Sequence, residues 1–291
     1  MASSKPTRNY REFGSGTQIS VVRASESDSR EWLEEAPVCQ ALGKYNILHA
    51  AVIKAGEGLK VSRVEQSGTF MMACLEGEGQ VLADGRWQTI RVGQACLLPP
   101  FVTNAFKKIE GKPWRFCWVR YIESKESNPI VSEISPVVGS FHGWSLARAI
   151  QGLIEETESV GGQAATHHWI ELMHGYVMSF AQPHQSDNRL WKLWNVVEQN
   201  LEQDWTLQSL SQLACLSEEH LRRLCKKQLG RSPVQHLTFL RMQKACSLLA
   251  TTEDKIEVIA KAVGYRSAFH FSNVFSKWVG CRPSEHRKAS Y

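Results

Sequence analysis

The chain has 291 residues, 43% hydrophobic and 22% charged, with a formal net charge of +5. That composition suits two folded units with their own cores and excludes a disordered, collagenous or membrane-spanning chain, since no segment approaches the roughly 18 apolar residues of a span. The charge is divided: residues 188–291 carry 16 Lys+Arg against 9 Asp+Glu, a net of +7, whereas residues 1–187 carry 18 against 20.

The opening residues MASSKPTRNYREF lack the apolar stretch of a secretory leader, which predicts a cytoplasmic chain. Eight cysteines at 39, 74, 96, 117, 215, 225, 246 and 281 include no CxxC pair, so neither a zinc spacing nor a disulfide framework is expected, only reduced and mostly buried thiols. Short β-rich runs follow: NILHAAVIKA, LKVSRVE, TFMMACLEG, GQVLADGRWQTIRVG, ACLLPP and WRFCWVRYIE, with ADGRW as a hairpin turn. Strands at this spacing predict a small β-barrel. In WRFCWVRY, alternation places Trp114, Phe116, Trp118 and Arg120 on one face.

Near Ser140 the period becomes helical, in WSLARAIQGLIEETES and THHWIELMHGYVMSFA. His167 and His174 stand two turns apart, too far for one metal site. Trp169, Leu172, Met173 and Val177 are expected to form an apolar stripe that packs on the barrel or on a second subunit. QPHQSDN interrupts the pattern and reads as a linker.

An internal repeat lies beyond it. Leu221, Gly230 and Pro233 recur as Phe271, Gly280 and Pro283, offset by 50 residues each time. Each copy follows a short helix and a tight turn, with Ser217 or Ser267 placed to cap a second helix, so two helix-turn-helix units are predicted, joined by a helix of about 18 residues. In the second copy Phe271, Val274, Phe275 and Trp278 form the buried stripe. Phe269, Ser272 and Asn273 remain to face a major groove, as do Glu219, Arg222 and Arg223 in the first copy. Arg reads guanine and Asn reads adenine through paired hydrogen bonds, each worth about 1–3 kcal/mol of discrimination. Lys226, Lys227 and Lys277 near the helix ends, with Arg231, Ser232 and Arg282 just past them, are the candidates for phosphate contact.

The run LSEEHLRRLCKKQLGRSPVQHLTFLRMQKACSLL with IEVIAKAVGYRSAFHFSNVFSKWVGCRPSEHR resembles the paired helix-turn-helix domain of the AraC/XylS family of transcription regulators. It departs from that pattern at Ser211, Cys215 and Cys225, where the family carries Ala, Gly and Phe. The run GTFMMACLEGEGQVLADGRWQTIRVGQACLLPPFVTNAF, continuing to WRFCWVRY, is similar to the cupin-like sensor barrel of the family's sugar-responsive members. No HxH pair is present and Asn104 stands at the last metal-ligand position, so no metal and no cofactor are expected. Trp118 matches the position that stacks on a sugar, and Glu76, Phe106, Phe116 and Arg120 match neighbouring pocket positions.

The resemblance implies a multi-domain α+β chain: a sensor barrel over residues 1–139, a packing and dimerisation segment over 140–182, a linker over 183–187, and the DNA-binding domain over 188–291. It implies a non-enzymatic regulator that binds a double-stranded DNA operator and a small effector, pairs as a homodimer, meets RNA polymerase and makes no membrane contact. A cupin-type enzyme with a DNA-binding tail, a regulator without a small ligand, and a DNA-repair methyl acceptor are the competing classes. The cysteine spacing opposes the last.

Overall fold

The computed structural model describes residues 10–28, 30–63, 68–100, 102–123, 130–132, 135–159, 165–182 and 188–289. The segment expected as the linker, 183–187, lies outside them. Among the described residues ten strands come first: β1 Tyr10–Glu12, β2 Gln18–Arg23, β3 Ile47–Lys54, β4 Lys60–Arg63, β5 Phe70–Ala83, β6 Arg86–Arg91, β7 Gln94–Leu98, β8 Asn104–Lys108, β9 Trp114–Tyr121 and β10 Val138–Ser140. All pairings among these named strands are antiparallel.

Strand β5 shapes the half-barrel. TFMMACLEG and the start of GQVLADGRWQTIRVG, expected as separate strands, belong to one 14-residue strand. Its first half pairs with β9 and β7 and its second half with β8 and β6, while a register shift between Cys74 and Glu76 marks a bulge where the strand bends. The glycines there serve a bend inside a strand, not a turn between two. The expected hairpin turn is present at Asp84 and Gly85, with φ 51° and 70°. Left-handed backbone at both central positions is the type I′ turn that Asp-Gly favours.

Alternation along the strands produces two faces. The inner face buries Phe70, Met72, Phe106, Trp114, Phe116 and Trp118. The outer face, with Met71, Ala73, Cys117, Val119 and Tyr121, packs under α1 (Gly143–Glu158) and α2 (Thr166–Ala181). On α2 the buried stripe is Ile170, Met173, Val177 and Phe180, and Leu172, expected within it, is 48% exposed. The helix is rotated so that Ile170 takes the inward position beside Met173.

The remaining helices are α3 Asn188–Glu198, α4 Leu207–Leu213, α5 Glu218–Leu229, α6 Pro233–Thr251, α7 Ile256–Ala262, α8 Ala268–Val279 and α9 Pro283–Ala289. Both expected caps form: Ser217 accepts from His220 N and Ser267 from His270 N, each at 3.3 Å. The connecting helix α6 has 19 residues and opens on a capping box between Ser232 and Gln235. One core gathers Leu221, Cys225 and Leu229 of α5 under α3, α4 and the start of α6; the other gathers Phe271, Phe275 and Val279 of α8 under α7 and the rest of α6. Val274 and Trp278 are only partly buried, and Val279 completes the stripe instead.

Six cysteines are buried, Cys281 is half-buried and Cys215 is exposed. The turn between α4 and α5 holds Cys215 at φ 53°, whereas the corresponding turn between α7 and α8 has Gly264 at φ 79°. A side chain in left-handed backbone costs about 1–2 kcal/mol. Cys215→Gly should therefore stabilise the protein by roughly 1 kcal/mol. Denaturant melting checks this, with Leu216→Gly as a control that should destabilise.

Candidate DNA-reading helices and barrel interior

The side chains expected to read bases are displayed, not buried. Glu219, Arg222 and Arg223 are exposed on α5, with Arg222 in an ion pair one turn long to Glu218 at 3.2 Å. On α8, Asn273 and Lys277 are exposed, Ser272 is half-buried and Phe269 is 78% exposed. Lys226 donates Nζ to the Gly230 carbonyl at 3.0 Å, and Lys227 points to solvent. Ser232 is occupied as the α6 cap, while Arg282 is exposed at the start of α9.

Arg231, expected at a phosphate, lies elsewhere. Its guanidinium meets Asp84 of the β5–β6 turn through two bonds of 2.7 and 3.1 Å, donates to Ser135 O at 3.0 Å, and covers the Phe239 ring at 3.8 Å. Both side chains of the ion pair are buried, at 2% and 4% exposure. In this arrangement the arginine joins the DNA-binding half to the barrel and cannot meet a phosphate.

Backbone bonds extend that junction. Val137 N donates to Leu229 O at 3.0 Å, and Thr103 N donates to Val279 O at 2.7 Å. The last turns of α5 and α8, whose carbonyls lack helical partners, are thus each completed by the barrel. Gly230 and Gly280, at φ 69° and 104°, cap these helices. A Cβ on Gly230 would fall 2.5 Å from Val138 O, and one on Gly280 would fall 2.1 Å from the Thr103 hydroxyl. The repeated glycine therefore serves both helix termination and close docking.

Inside the barrel, Phe106, Phe116, Trp118 and Arg120 are all buried together, at 4% exposure or less. Phe70 stacks on Phe106 at 5.8 Å, and Trp118 lies 5.8 Å from Phe116 and 6.1 Å from Trp32. Glu76, expected with them, sits on the outer surface in an ion pair with Arg115 at 3.3 Å. The bulge after Cys74 carries it out of the inner register.

Three interior groups escaped the reading of the chain: Arg63, His49 and Trp32. Register explains two of them, since Phe70, Arg120, His49 and Arg23 are successive cross-strand partners on one face. Arg63 pairs with Asn104 and covers Phe70 at 4.1 Å. The signal was present in the alternation of LKVSRVE and NILHAAVIKA, which puts Arg63 in phase with Val61 and His49 in phase with Ala51. His49 Nδ1 accepts from Trp118 Nε1 at 3.0 Å. Burial foremost, then Arg30, Arg63, Arg120 and Arg11, hold its pKa well below the ordinary 6.5.

Two expectations follow. His49 stays neutral in the folded protein while its unfolded counterpart takes a proton below about pH 6.5, so stability should fall with acidification by up to about 1.4 kcal/mol per pH unit. Chemical melts of wild type and His49→Gln between pH 7.5 and 5 test this, the variant being expected to lose that part of the slope. At the junction, Asp84→Asn should open the buried pair and raise the hydrogen-exchange rates of the Val137 and Thr103 amides at least about tenfold. Exchange mass spectrometry at residues 102–108 and 135–140 reads the change.

Comparison with known proteins agrees with this architecture. Residues 67–167 match the family model described as AraC-like ligand binding domain, and residues 210–289 match the helix-turn-helix domain model. The chain is 25% identical over 240 residues to the MmsAB operon regulatory protein of Pseudomonas aeruginosa, covering 79% of this chain and 78% of that one. It is 25% identical over 236 residues to the transcriptional regulator MtrA of Neisseria gonorrhoeae, covering 81% and 71%. It is 23% identical over 228 residues to the raffinose operon transcriptional regulatory protein RafR of Pediococcus pentosaceus, covering 74% and 82%. With a half-barrel sheet in the ligand-binding match and two capped helix-turn-helix units in the other, the chain belongs to the AraC/XylS family, as a DNA-binding transcription regulator with an N-terminal ligand-binding domain.

Proposed function

We propose that this regulator senses a small, sugar-like metabolite in the half-barrel and passes its presence to operator DNA held by α5 and α8. The observation that carries the reading is Trp118, an interior ring at the centre of an aromatic cluster whose far edge is formed by Arg120 and Arg63. A ring face with a few charged groups suits a sugar or polyol. That one relative is named for a raffinose operon favours the same class. Calorimetry with mono- and disaccharides tests it: Trp118→Ala should weaken the sugar that binds by about tenfold or more, and equal binding by the variant would remove Trp118 from the site.

On the DNA side, Glu219, Arg222, Arg223, Phe269, Ser272 and Asn273 are the base readers in this proposal. Lys226, Lys227, Lys277, Ser232 and Arg282 hold phosphates, whereas Arg231 holds the junction. Two copies pairing through residues 140–182, where α2 leaves Leu172 exposed, would engage two half-sites and raise the effective concentration of the second contact. The setting is cytoplasmic and RNA polymerase is the downstream partner. Among the described residues no helix is long and apolar enough to cross a membrane. Arg222→Ala and Asn273→Ala should each relax base preference at particular operator positions, by about 1–3 kcal/mol, while Lys277→Ala should weaken all sequences alike and lower the salt slope by about one. A binding-site selection on the variants measures both, and unchanged preference in the first two would overturn the assignment of base readers.

A further inference from the structure

The inner end of the half-barrel collects positive charge and hydrogen-bond donors. Arg63 is 5% exposed, its guanidinium lying over Phe70 and Phe106 at 4.1 and 5.0 Å, and its Nη1 meets no acceptor among the described residues. A guanidinium keeps its charge at any physiological pH, so a full positive charge sits inside the barrel. His49 is 1% exposed and accepts at Nδ1 from Trp118, which leaves its proton on Nε2; that atom also meets no partner among the described residues. Trp32, whose ring lies edge-on to His49 at 5.2 Å, buries its indole N–H in the same state.

These three groups share one chemistry: each buries an N–H donor atom that meets no acceptor among the described residues. A buried donor left without a partner is costly, so three around one set of rings need an explanation. The surrounding charge points the same way. Arg120 donates to Gly68 O at 2.6 Å, and Arg11 and Arg30 cover the Trp32 ring at 4.9 and 5.3 Å. Among the described residues, the acids acting on this group are Asp28, held by Arg30, and Glu123, which burial pushes toward its neutral form. Arg63 itself has no ion pair among the described residues.

We propose that this end of the half-barrel, built from Arg63, His49 and Trp32 beside Arg120, seats the oxyanion of the effector, so that the effector is an acidic metabolite carrying a carboxylate or phosphate. The inference deepens the reading of the barrel as an effector site and rests on it. Arg63 offers the planar fork that binds two oxygens at once, and His49 and Trp32 add single N–H donors. Phe70, Phe106 and Trp118 form the apolar wall on which the remainder of the molecule lies. A neutral sugar would satisfy the donors but leave the charge uncompensated, which is why the anion is favoured.

The test compares matched ligands on the full-length protein at constant ionic strength: D-glucuronate against D-glucose, benzoate against benzamide, and D-glucose 6-phosphate as the phosphate arm. Thermal melting and calorimetry read binding in wild type, R63M, R63K and W118A. The expected result is saturable binding of at least one acid, about tenfold or more tighter than its neutral partner, lost in R63M and weakened in R63K. The responding arm separates carboxylate from phosphate. R63M without ligand should melt at or above the wild-type temperature, since it removes an uncompensated buried charge. A neutral sugar bound as tightly as its acid, lost in W118A but unchanged in R63M, would overturn the anion seat and leave the effector site standing. Acids bound alike by all four proteins would overturn both. No Arg63-dependent response to any acid, with R63M melting well below wild type, would overturn the proposal and make Arg63 a structural group.

Discussion

The alternation of β9 is the constraint on which the barrel depends. Every second residue of WRFCWVRY points inward, and neighbouring strands pair with it residue by residue, so Trp114, Phe116, Trp118 and Arg120 determine what the interior contains. Cys117, Val119 and Tyr121 belong to the opposite face and give α1 and α2 their apolar seat. A slip of one residue would exchange the faces, putting Arg120 under the helices and Val119 among the rings. The phase breaks at the β5 bulge, and there Glu76 leaves the interior.

The second determining contact joins the two halves. Helix α5 ends on β10 and helix α8 ends on Thr103, each with its terminal carbonyl accepting a barrel N–H. Asp84 fills two roles: it turns the β5–β6 hairpin through left-handed backbone, and its carboxylate holds Arg231. Burying an ion pair is costly unless both partners are fully bonded, and here the guanidinium is satisfied by two carboxylate oxygens, a carbonyl and a ring. The contact specifies orientation more than it adds stability.

These two constraints meet at β8. Asn104 is the register partner of Arg63, and Thr103, its neighbour in the chain, bonds the end of α8. One residue thus separates the charged end of the barrel interior from the last turn of α8. In the proposed site, a change at Arg63 would reach α8 by a short path, one cross-strand pair and one hydrogen bond, without movement of the whole sheet.

Much of this molecule was legible in the chain itself, because its determinants are local. Ser217 and Ser267 cap helices through bonds to the residue three ahead, Asp84-Gly85 makes its own turn, and the 50-residue repeat reports two copies of one unit. Alternation likewise announced the interior of β9. The rest depended on which segments meet. Glu76 was carried outward by a bulge that no short-range pattern marks, and Leu172 was turned outward by the way α2 lies on the sheet. Arg231 and Asp84, 147 residues apart, found each other only when the halves docked. Arg63, His49 and Trp32 became one constellation because register aligned β3 and β4 with β9 and β8, and the segment after β2 folded over them. Periodicity and capping act over a few bonds and so are written in the sequence, whereas the pairing of charges and donors across strands is decided by tertiary register, which brings distant residues within hydrogen-bond reach.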